Sequence, residues 1–163
     1  MALDSEMSGA MTIGQVGWQR AGSAGSSTGS YYYFKLYMGL SAGDELSETF
    51  ADNYIPGTRT LVYENSIQVM KADADQWMMI DLDTPFWYNG QDNLVVELEW
   101  SGGSNVFYTY MWPTGSNRGL LNKMSTEEPE GALSTAMSRL MFTGTLALQQ
   151  DTFGSIKARL GRR

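Results

Sequence analysis

The chain has 163 residues, with 11 Lys and Arg against 18 Asp and Glu, which gives a formal net charge of −7. It contains no Cys and no His. Disulfides, thiolate or imidazole metal sites and a Ser-His-Asp triad are therefore excluded. The acidic balance disfavours binding to nucleic acid, because the neutralisation of phosphates requires a basic footprint.

The first half of the chain predicts strands separated by small and polar residues. A strand over 11–20 is followed by a Gly- and Ser-rich loop over 21–30 and a second strand over 31–38. Alternation in this second strand places Tyr32, Phe34, Leu36 and Met38 on one face and Tyr31, Tyr33, Lys35 and Tyr37 on the other. Because the second set is aromatic and only half apolar, we expect it to be exposed and to contact a partner.

The middle of the chain continues the β pattern. Residues 44–54 predict one helical turn, and strands over 58–63 and 66–70 flank a turn at Glu64 and Asn65. The segment 76–82 has apolar residues on both faces, which is typical of a central strand. An alternating strand over 93–100 and another over 106–112 predict a hairpin around 101–104.

The last third predicts a short strand over 119–124, an acidic loop over 126–131 and a final strand over 138–148. The apolar face of this final strand carries Leu140, Phe142, Leu146 and Leu148. The expected fold is an all-β antiparallel sandwich, jelly-roll-like, with about eight or nine strands. It would cover residues 1–150, and 151–163 would form a basic tail or terminal strand.

The segment from Trp77 to Trp100 contains the pattern L-x-T-P-F-x-Y-x-G-x-x-N-L. Its positions are Leu82, Thr84, Pro85, Phe86, Tyr88, Gly90, Asn93 and Leu94. This segment, the opening 5–13 and the stretch 50–54 together resemble a β-sandwich module of secreted bacterial surface proteins. The resemblance implies an extracellular or cell-surface location and no catalytic residues. Only residues 1–4 precede the opening, whereas the module has a longer extended stretch there, so a short or missing first strand is expected.

Apart from the resemblance, the residue types of this segment predict a structural corner. Pro85 cannot donate to a ladder and is expected to end one strand. Phe86 and Tyr88 supply large apolar area for the edge of the sandwich. Gly90 is suited to a turn with positive φ, and Asn93 to hydrogen bonds with loop backbone.

The C-terminal segment differs in charge from the rest of the chain. Lys157, Arg159, Arg162 and Arg163 give the last seven residues +4, while 1–156 hold seven basic and eighteen acidic residues, a net of −11. Residues 152–158 resemble the short W-G-x-I-K-A tail of some bacterial surface proteins, with Phe153 in place of Trp. Its aliphatic residues alternate with cations, as in a strand with one buried face.

These features favour a non-catalytic structural or adhesive protein that assembles with copies of itself by exchange of a strand or tail. The expected assembly contacts are Tyr31, Tyr33, Tyr37, Phe153, Ile156, Lys157 and Leu160. The alternative is a carbohydrate-binding module, because aromatic rings stack on sugars. The aromatic residues that would form such a site are Trp87, Tyr88, Tyr108, Tyr110 and Trp112.

Catalysis and cofactors are disfavoured. Asp81 with Asp83, and Glu97 with Glu99, could form carboxylate pairs, but alternating acids are ordinary on a solvated strand face. Calcium is the metal that fits best, since it takes only oxygen ligands. Its candidate ligands are Asp44, Glu45, Asp73, Asp75, Asp81, Asp83, Asp92 and Asn93. No apolar run reaches the ~18 residues that a transmembrane helix needs.

Overall fold

The computed structural model describes residues 1–22, 27–122 and 129–147. It is an all-β antiparallel sandwich, as the composition predicts. Its strands are β1 (Met11–Gln19), β2 (Thr28–Ser41), β3 (Thr60–Lys71), β4 (Trp77–Tyr88), β5 (Asn93–Glu99), β6 (Gly102–Ser104), β7 (Met111–Pro113), β8 (Gly119–Leu121), β9 (Ala132–Ser134), β10 (Ala136–Ser138) and β11 (Leu140–Leu146). Short 3-10 helices occupy Asp4–Glu6 and Phe50–Asn53, and the second confirms the helical turn expected within 44–54.

Two main sheets form the sandwich. The first has the order β11-β1-β4, and the second has the order β3-β2-β5, with β6 also paired to β2. The pairs β10-β7 and β8-β9 form two small additional sheets. The strands outnumber the eight or nine expected, because five of them are only three residues long.

The core lies between the two main sheets. Ile13 and Val16 of β1 and Ile80 of β4 face Phe34, Leu36 and Met38 of β2 within one buried cluster. Tyr88 and Leu94, which flank the predicted corner, are also fully buried there. Each such large side chain contributes roughly 1.5–3 kcal/mol by leaving water, so this cluster is what holds the sheets face to face.

The alternation in β2 changes at Tyr33. From Phe34 onward the predicted inner face is correct, since Phe34, Leu36 and Met38 are buried. Before it the prediction is wrong: Tyr31 packs against the core, while Tyr32 is 39% exposed. The reason is the backbone of Tyr33, whose φ of 52° is left-handed and breaks the two-residue period.

Two predictions about β3 and β4 are also wrong. Glu64 and Asn65 form no turn, because they pair with Lys35 and Phe34 and β3 runs on unbroken. β4 is an edge strand of its sheet, and β1 is the central one. Both faces of β4 contain apolar residues because Met78 and Ile80 are buried in the core while Trp77 and Met79 are half-buried on the other side.

The corner after β4 differs from expectation at one position. β4 continues through Pro85, and no ladder hydrogen bond is lost, because the paired register with β1 skips residues 82–85. Phe86 and Tyr88 are buried, and Gly90 has a φ of +75°. The side chain of Asn93 accepts a hydrogen bond from Asp4 N (2.9 Å) and donates one to Gly43 O (2.9 Å), so it does bond loop backbone.

The hairpin expected around 101–104 is absent from the described residues. Residues 102–104 form β6 and extend the β5 ladder along β2. The chain then crosses to the end of β1, where Thr109 bridges Arg20. In the last strand Leu140 and Phe142 pack against the core, but Leu146 is 54% exposed, contrary to prediction, and Leu148 lies outside the described residues. Of the strand expected over 119–124, the structure shows Gly119–Leu121.

The first residues lie along the outer edge of β5. Ala2 and Leu94 exchange two backbone hydrogen bonds of 2.9 Å, which form an isolated bridge in place of a longer strand. The backbone oxygen of Met1 accepts hydrogen bonds from the buried guanidinium of Arg118, which also forms an ion pair with Glu6. The N-terminal segment is therefore tied to the sheet by Ala2 and by Arg118.

Candidate functional site

The outer edge of β3 has no hydrogen-bonded strand beside it in the part of the chain that the structure describes, although the unpaired part of β4 lies close to it. β3 is the last strand of its sheet and has twelve residues. Its side chains Leu61, Ile67 and Val69 are 38%, 56% and 49% exposed, and Tyr32, which pairs with Ile67, is 39% exposed. We call β3 with Tyr32 the β3 edge. Long, exposed, apolar edge strands are templates for pairing with another chain.

The β3 edge carries only part of the protection of natural edge strands, including a register irregularity with β2 at Val62. The strand contains no proline, and its only charged residues are Glu64 and Lys71. Asp83, in the unpaired part of β4, reaches the strand, and its carboxylate accepts a hydrogen bond from Glu64 N (3.3 Å). Glu64 and Asp83 thus place two acidic side chains beside an edge on which exposed apolar residues alternate with polar ones.

The tyrosines predicted as assembly contacts are in three different environments. Tyr31 is half-buried: its ring meets Trp100 edge-on at 5.5 Å between centroids, and its hydroxyl accepts a hydrogen bond from Phe107 N. Tyr37 is half-buried beneath the guanidinium of Arg59, 3.6 Å from the ring centroid. Only Tyr33, at 72% exposure, is open to a partner. The expectation of a shared exposed face is therefore wrong for Tyr31 and Tyr37. Phe153, Ile156, Lys157 and Leu160 lie outside the described residues.

A polar network covers the outer face of the second sheet. Arg59 donates to both oxygens of Glu97 (2.8 and 3.1 Å) and to Glu99 (2.8 Å), and the hydroxyl of Tyr54 donates to Glu97 (2.5 Å). Burial alone raises the pKa of Glu97, but hydrogen bonds from Arg59 and Tyr54 outweigh it and hold this pKa below its ordinary value. Burial and the nearby Glu97 carboxylate raise the pKa of Tyr54. The carboxylate pair of Glu97 and Glu99 is thus engaged in structural contacts.

An open groove of about 470 Å³ lies where the ends of several strands meet the N-terminal segment. We call it the aromatic groove. Its lining residues are Ala2, Glu6, Met7, Gln19, Trp77, Trp112, Arg118, Met137, Ser138, Arg139, Leu140 and Phe142. Trp112 is 51% exposed, so the groove offers an aromatic surface to solvent.

Arg139 is the unusual residue of the aromatic groove. Its guanidinium carbon lies 5.1 Å from the ring centroid of Tyr110 and 5.2 Å from that of Trp112, which are cation–π distances. One terminal nitrogen donates to Gln19 Oε1 (3.1 Å). Its Nε is buried and has no hydrogen-bond partner in the described part of the chain. A buried donor without a partner is costly and therefore worth explaining.

The aromatic residues predicted to bind sugar are dispersed. Tyr110 and Trp112 meet at Arg139, but Tyr110 also donates through its hydroxyl to Asp75 (2.6 Å). Trp87 and Tyr108 are 55% and 49% exposed and do not line the groove. Tyr88 cannot stack on a sugar as predicted, because its side chain is fully buried in the core. The sequence reasoning missed Arg139 and Trp77, which are far apart in the chain and carry no local motif.

The acids predicted as calcium ligands are dispersed as well. Within 1–22, 27–122 and 129–147, no three acidic side chains come together as a group able to hold a metal ion. Asp44 accepts a hydrogen bond from Asn93 Nδ2 (3.0 Å), and Asp81 accepts one from Gln15 Nε2 (2.5 Å). A smaller cavity of about 260 Å³ is lined by residues between Ser41 and Pro56, including Glu45 and Asp52.

Comparison with known proteins gives no assignment. No family model, no curated protein and no solved structure matches the chain. Among the described residues, no helix has the length and apolar character that crossing a membrane requires.

Proposed function

We propose that the chain is a non-catalytic structural subunit, located outside the cell, that assembles with copies of itself by strand addition. The C-terminal segment 154–160 of one copy would pair with the β3 edge of the next. The observation that carries this proposal is the twelve-residue edge of β3, which has no hydrogen-bonded strand beside it among the described residues and exposes Leu61, Ile67 and Val69. Addition of an extended segment to such an edge gains main-chain hydrogen bonds and side-chain contacts together.

Charge supports this pairing. The last seven residues carry +4, and Glu64 and Asp83 lie at the acceptor edge. Alternation in the tail would direct Ile156 and Leu160 to the same face, where Ile67 and Val69 offer apolar surface. Lys157 and Arg159 would then lie on the opposite face of the added strand, within reach of acidic side chains near the edge.

Length also supports it. β3 extends over roughly 40 Å at the rise of an antiparallel strand, and an extended 154–160 would span roughly 24 Å, so the segment fits within the edge. The donor and the acceptor are different surfaces of the same chain, so the contact is heterologous. Heterologous contacts produce rings when the rotation closes and filaments when it does not. An extracellular site agrees with the resemblance of the corner to modules of secreted surface proteins.

The test is a matched pair of single substitutions in the purified full chain. Val69→Lys adds a charge to the β3 edge, where Val69 is 49% exposed. Val106→Lys adds the same charge at a valine that is 54% exposed and lies outside β3. Negative-stain electron microscopy and sedimentation should show polymers for the parent chain and Val106→Lys, and monomers for Val69→Lys.

Deletion of 151–163 supplies the second arm. The truncated protein should remain monomeric with a β-type circular dichroism spectrum, and added peptide 151–163 should bind it. Polymers from the truncated protein would show that another contact drives assembly. A monomeric parent chain at every concentration tested would overturn the proposal as a whole.

A further inference from the structure

We propose that the aromatic groove is a binding site for an acidic polysaccharide, with a uronate carboxylate held by Arg139 and a sugar ring stacked on Trp112. This site shares no residue with the β3 edge and does not depend on assembly. Four observations lead to it: the size of the groove, its exposed aromatic wall, its charge, and an unused donor.

The size and the wall suit a sugar. A volume of about 470 Å³ lies in the range of small-molecule sites, which are about 300–1,000 Å³. Trp112 keeps 51% of its surface exposed, and the partly buried rings of Trp77 and Phe142 belong to the same lining. The C–H face of a pyranose ring packs on such rings, while its oxygens require donors from the surrounding wall.

The donor is the Nε of Arg139. It is buried and unpartnered in the described part of the chain, although the two neighbouring rings and Gln19 fix the guanidinium. A ligand oxygen that accepts from Nε would satisfy this group, and because Nε is buried this contact requires a small shift of the surrounding side chains. Because the guanidinium is held by Tyr110, Trp112 and Gln19 before any ligand arrives, little side-chain entropy would be lost on binding.

The charge of the groove points to an acid over a neutral sugar. Its charged lining residues are Glu6, Arg118 and Arg139. Glu6 and Arg118 form an ion pair with each other, so their charges cancel locally. Arg139 makes no ion pair with a carboxylate among the residues that the structure describes. The groove is therefore locally cationic on an otherwise acidic protein, and a planar carboxylate is the group that a guanidinium recognises best.

The experiment measures binding of oligogalacturonate to the full chain by titration calorimetry, with a dextran oligomer of the same length as the neutral comparison. Oligogalacturonate should bind at least tenfold more tightly than dextran. Trp112→Ala should weaken its binding at least tenfold. Trp87→Ala is the matched control, because Trp87 is similarly exposed (55%) outside the groove, and this variant should bind as the parent does.

Arg139→Lys separates stacking from carboxylate recognition. It keeps the positive charge but removes the Nε donor and the planar fork, so the preference for oligogalacturonate over dextran should fall while weak stacking remains. Thermal melts monitor the fold of each variant, and Trp112→Ala decides the matter if Arg139→Lys is unfolded. Unchanged binding in Trp112→Ala, equal affinity for dextran, or no binding of oligogalacturonate would each overturn the proposal. None of these results bears on polymer formation, which is measured separately by electron microscopy and sedimentation.

Discussion

Gly90 lies at the turn between β4 and β5, the two strands that the corner motif joins. Its φ of +75° is left-handed, which L-residues with a side chain rarely adopt. The backbone of Ala10 also approaches it closely: a Cβ at this position would lie 2.9 Å from Ala10 Cα and closer still to Ala10 N. Two separate physical reasons therefore select glycine here, one conformational and one steric.

Gly90→Ala should for this reason destabilise the protein more than the strain of a left-handed backbone alone would. Gly57 is the matched control, because it has a φ of +81° but a Cβ added there would meet no heavy atom within 4 Å. We expect Gly57→Ala to cost about 1 kcal/mol and Gly90→Ala at least about 3 kcal/mol of unfolding free energy. Urea unfolding of both variants measures the difference. Equal losses would show that the approach of Ala10 relaxes without cost.

At the scale of elements, the outer face of the second sheet is fastened by one polar network. Arg59, just before β3, stacks on Tyr37 of β2 and donates to Glu97 and Glu99 of β5. It therefore joins all three strands across the sheet. Tyr54, from the segment after the second 3-10 helix, adds a hydrogen bond to Glu97.

Glu97→Gln should reduce stability by about 1–2 kcal/mol at pH 7, because it removes the charge that Arg59 and Tyr54 bond. The pKa of Glu97 is lower in the folded protein than its ordinary value of 4.5. Its contribution is thus fully present above pH 4.5 and is lost as the pH falls through the folded pKa. The difference between the two proteins should shrink below pH 4.5, as measured by urea unfolding across pH.

The control for this pH series is Glu48→Gln, at an exposed glutamate whose side chain makes no hydrogen bond among the described residues. This variant should follow the parent at every pH. A constant gap between Glu97→Gln and the parent from pH 7 down to pH 3 would contradict the assignment, because it would mean that the charge of Glu97 contributes nothing.

Strand alternation in the sequence predicts some buried faces correctly and others wrongly. Strand alternation correctly places Phe34, Leu36 and Met38 inside, since period two follows directly from an extended backbone. It fails before Tyr33, because one left-handed residue inverts the faces and a tyrosine gives no warning of positive φ. It also fails for β4, because long-range pairing decides which strand is central, and apolar residues on both faces do not.

For the candidate sites too, the sequence shows local pairs of residues but not the contacts that depend on the fold. The aromatic residues Tyr110 and Trp112 are visible in the sequence as a pair two apart, and they do share a neighbour. That neighbour, Arg139, comes from a distant part of the chain, so only the fold brings it to them. The β3 edge is likewise a property of the sheet order: a β-rich segment at 66–70 is visible in the sequence, but the lack of a paired strand on its outer side is not.

At the scale of the whole molecule, charge is segregated along the chain. Residues 1–156 carry a net of −11 and the last seven carry +4. An acidic body repels other copies at long range, and a basic tail attracts them. In the proposed assembly these two effects act on the same contact, because the tail of one copy approaches the body of another.

Whether added salt weakens or strengthens assembly should therefore depend on the charge of the tail. Added salt shortens the Debye length from about 10 Å at 0.1 M to about 3 Å at 1 M, so the attraction between tail and body weakens and the critical concentration for assembly should rise several-fold. Lys157→Glu combined with Arg159→Glu removes that attraction and leaves the repulsion between acidic bodies, because the last seven residues then carry no net charge. In this variant assembly should be weaker at low salt and should improve as salt is added. Light scattering against protein concentration at several salt concentrations measures both trends, and parallel salt dependence in the two proteins would show that the tail's charges do not take part in the contact.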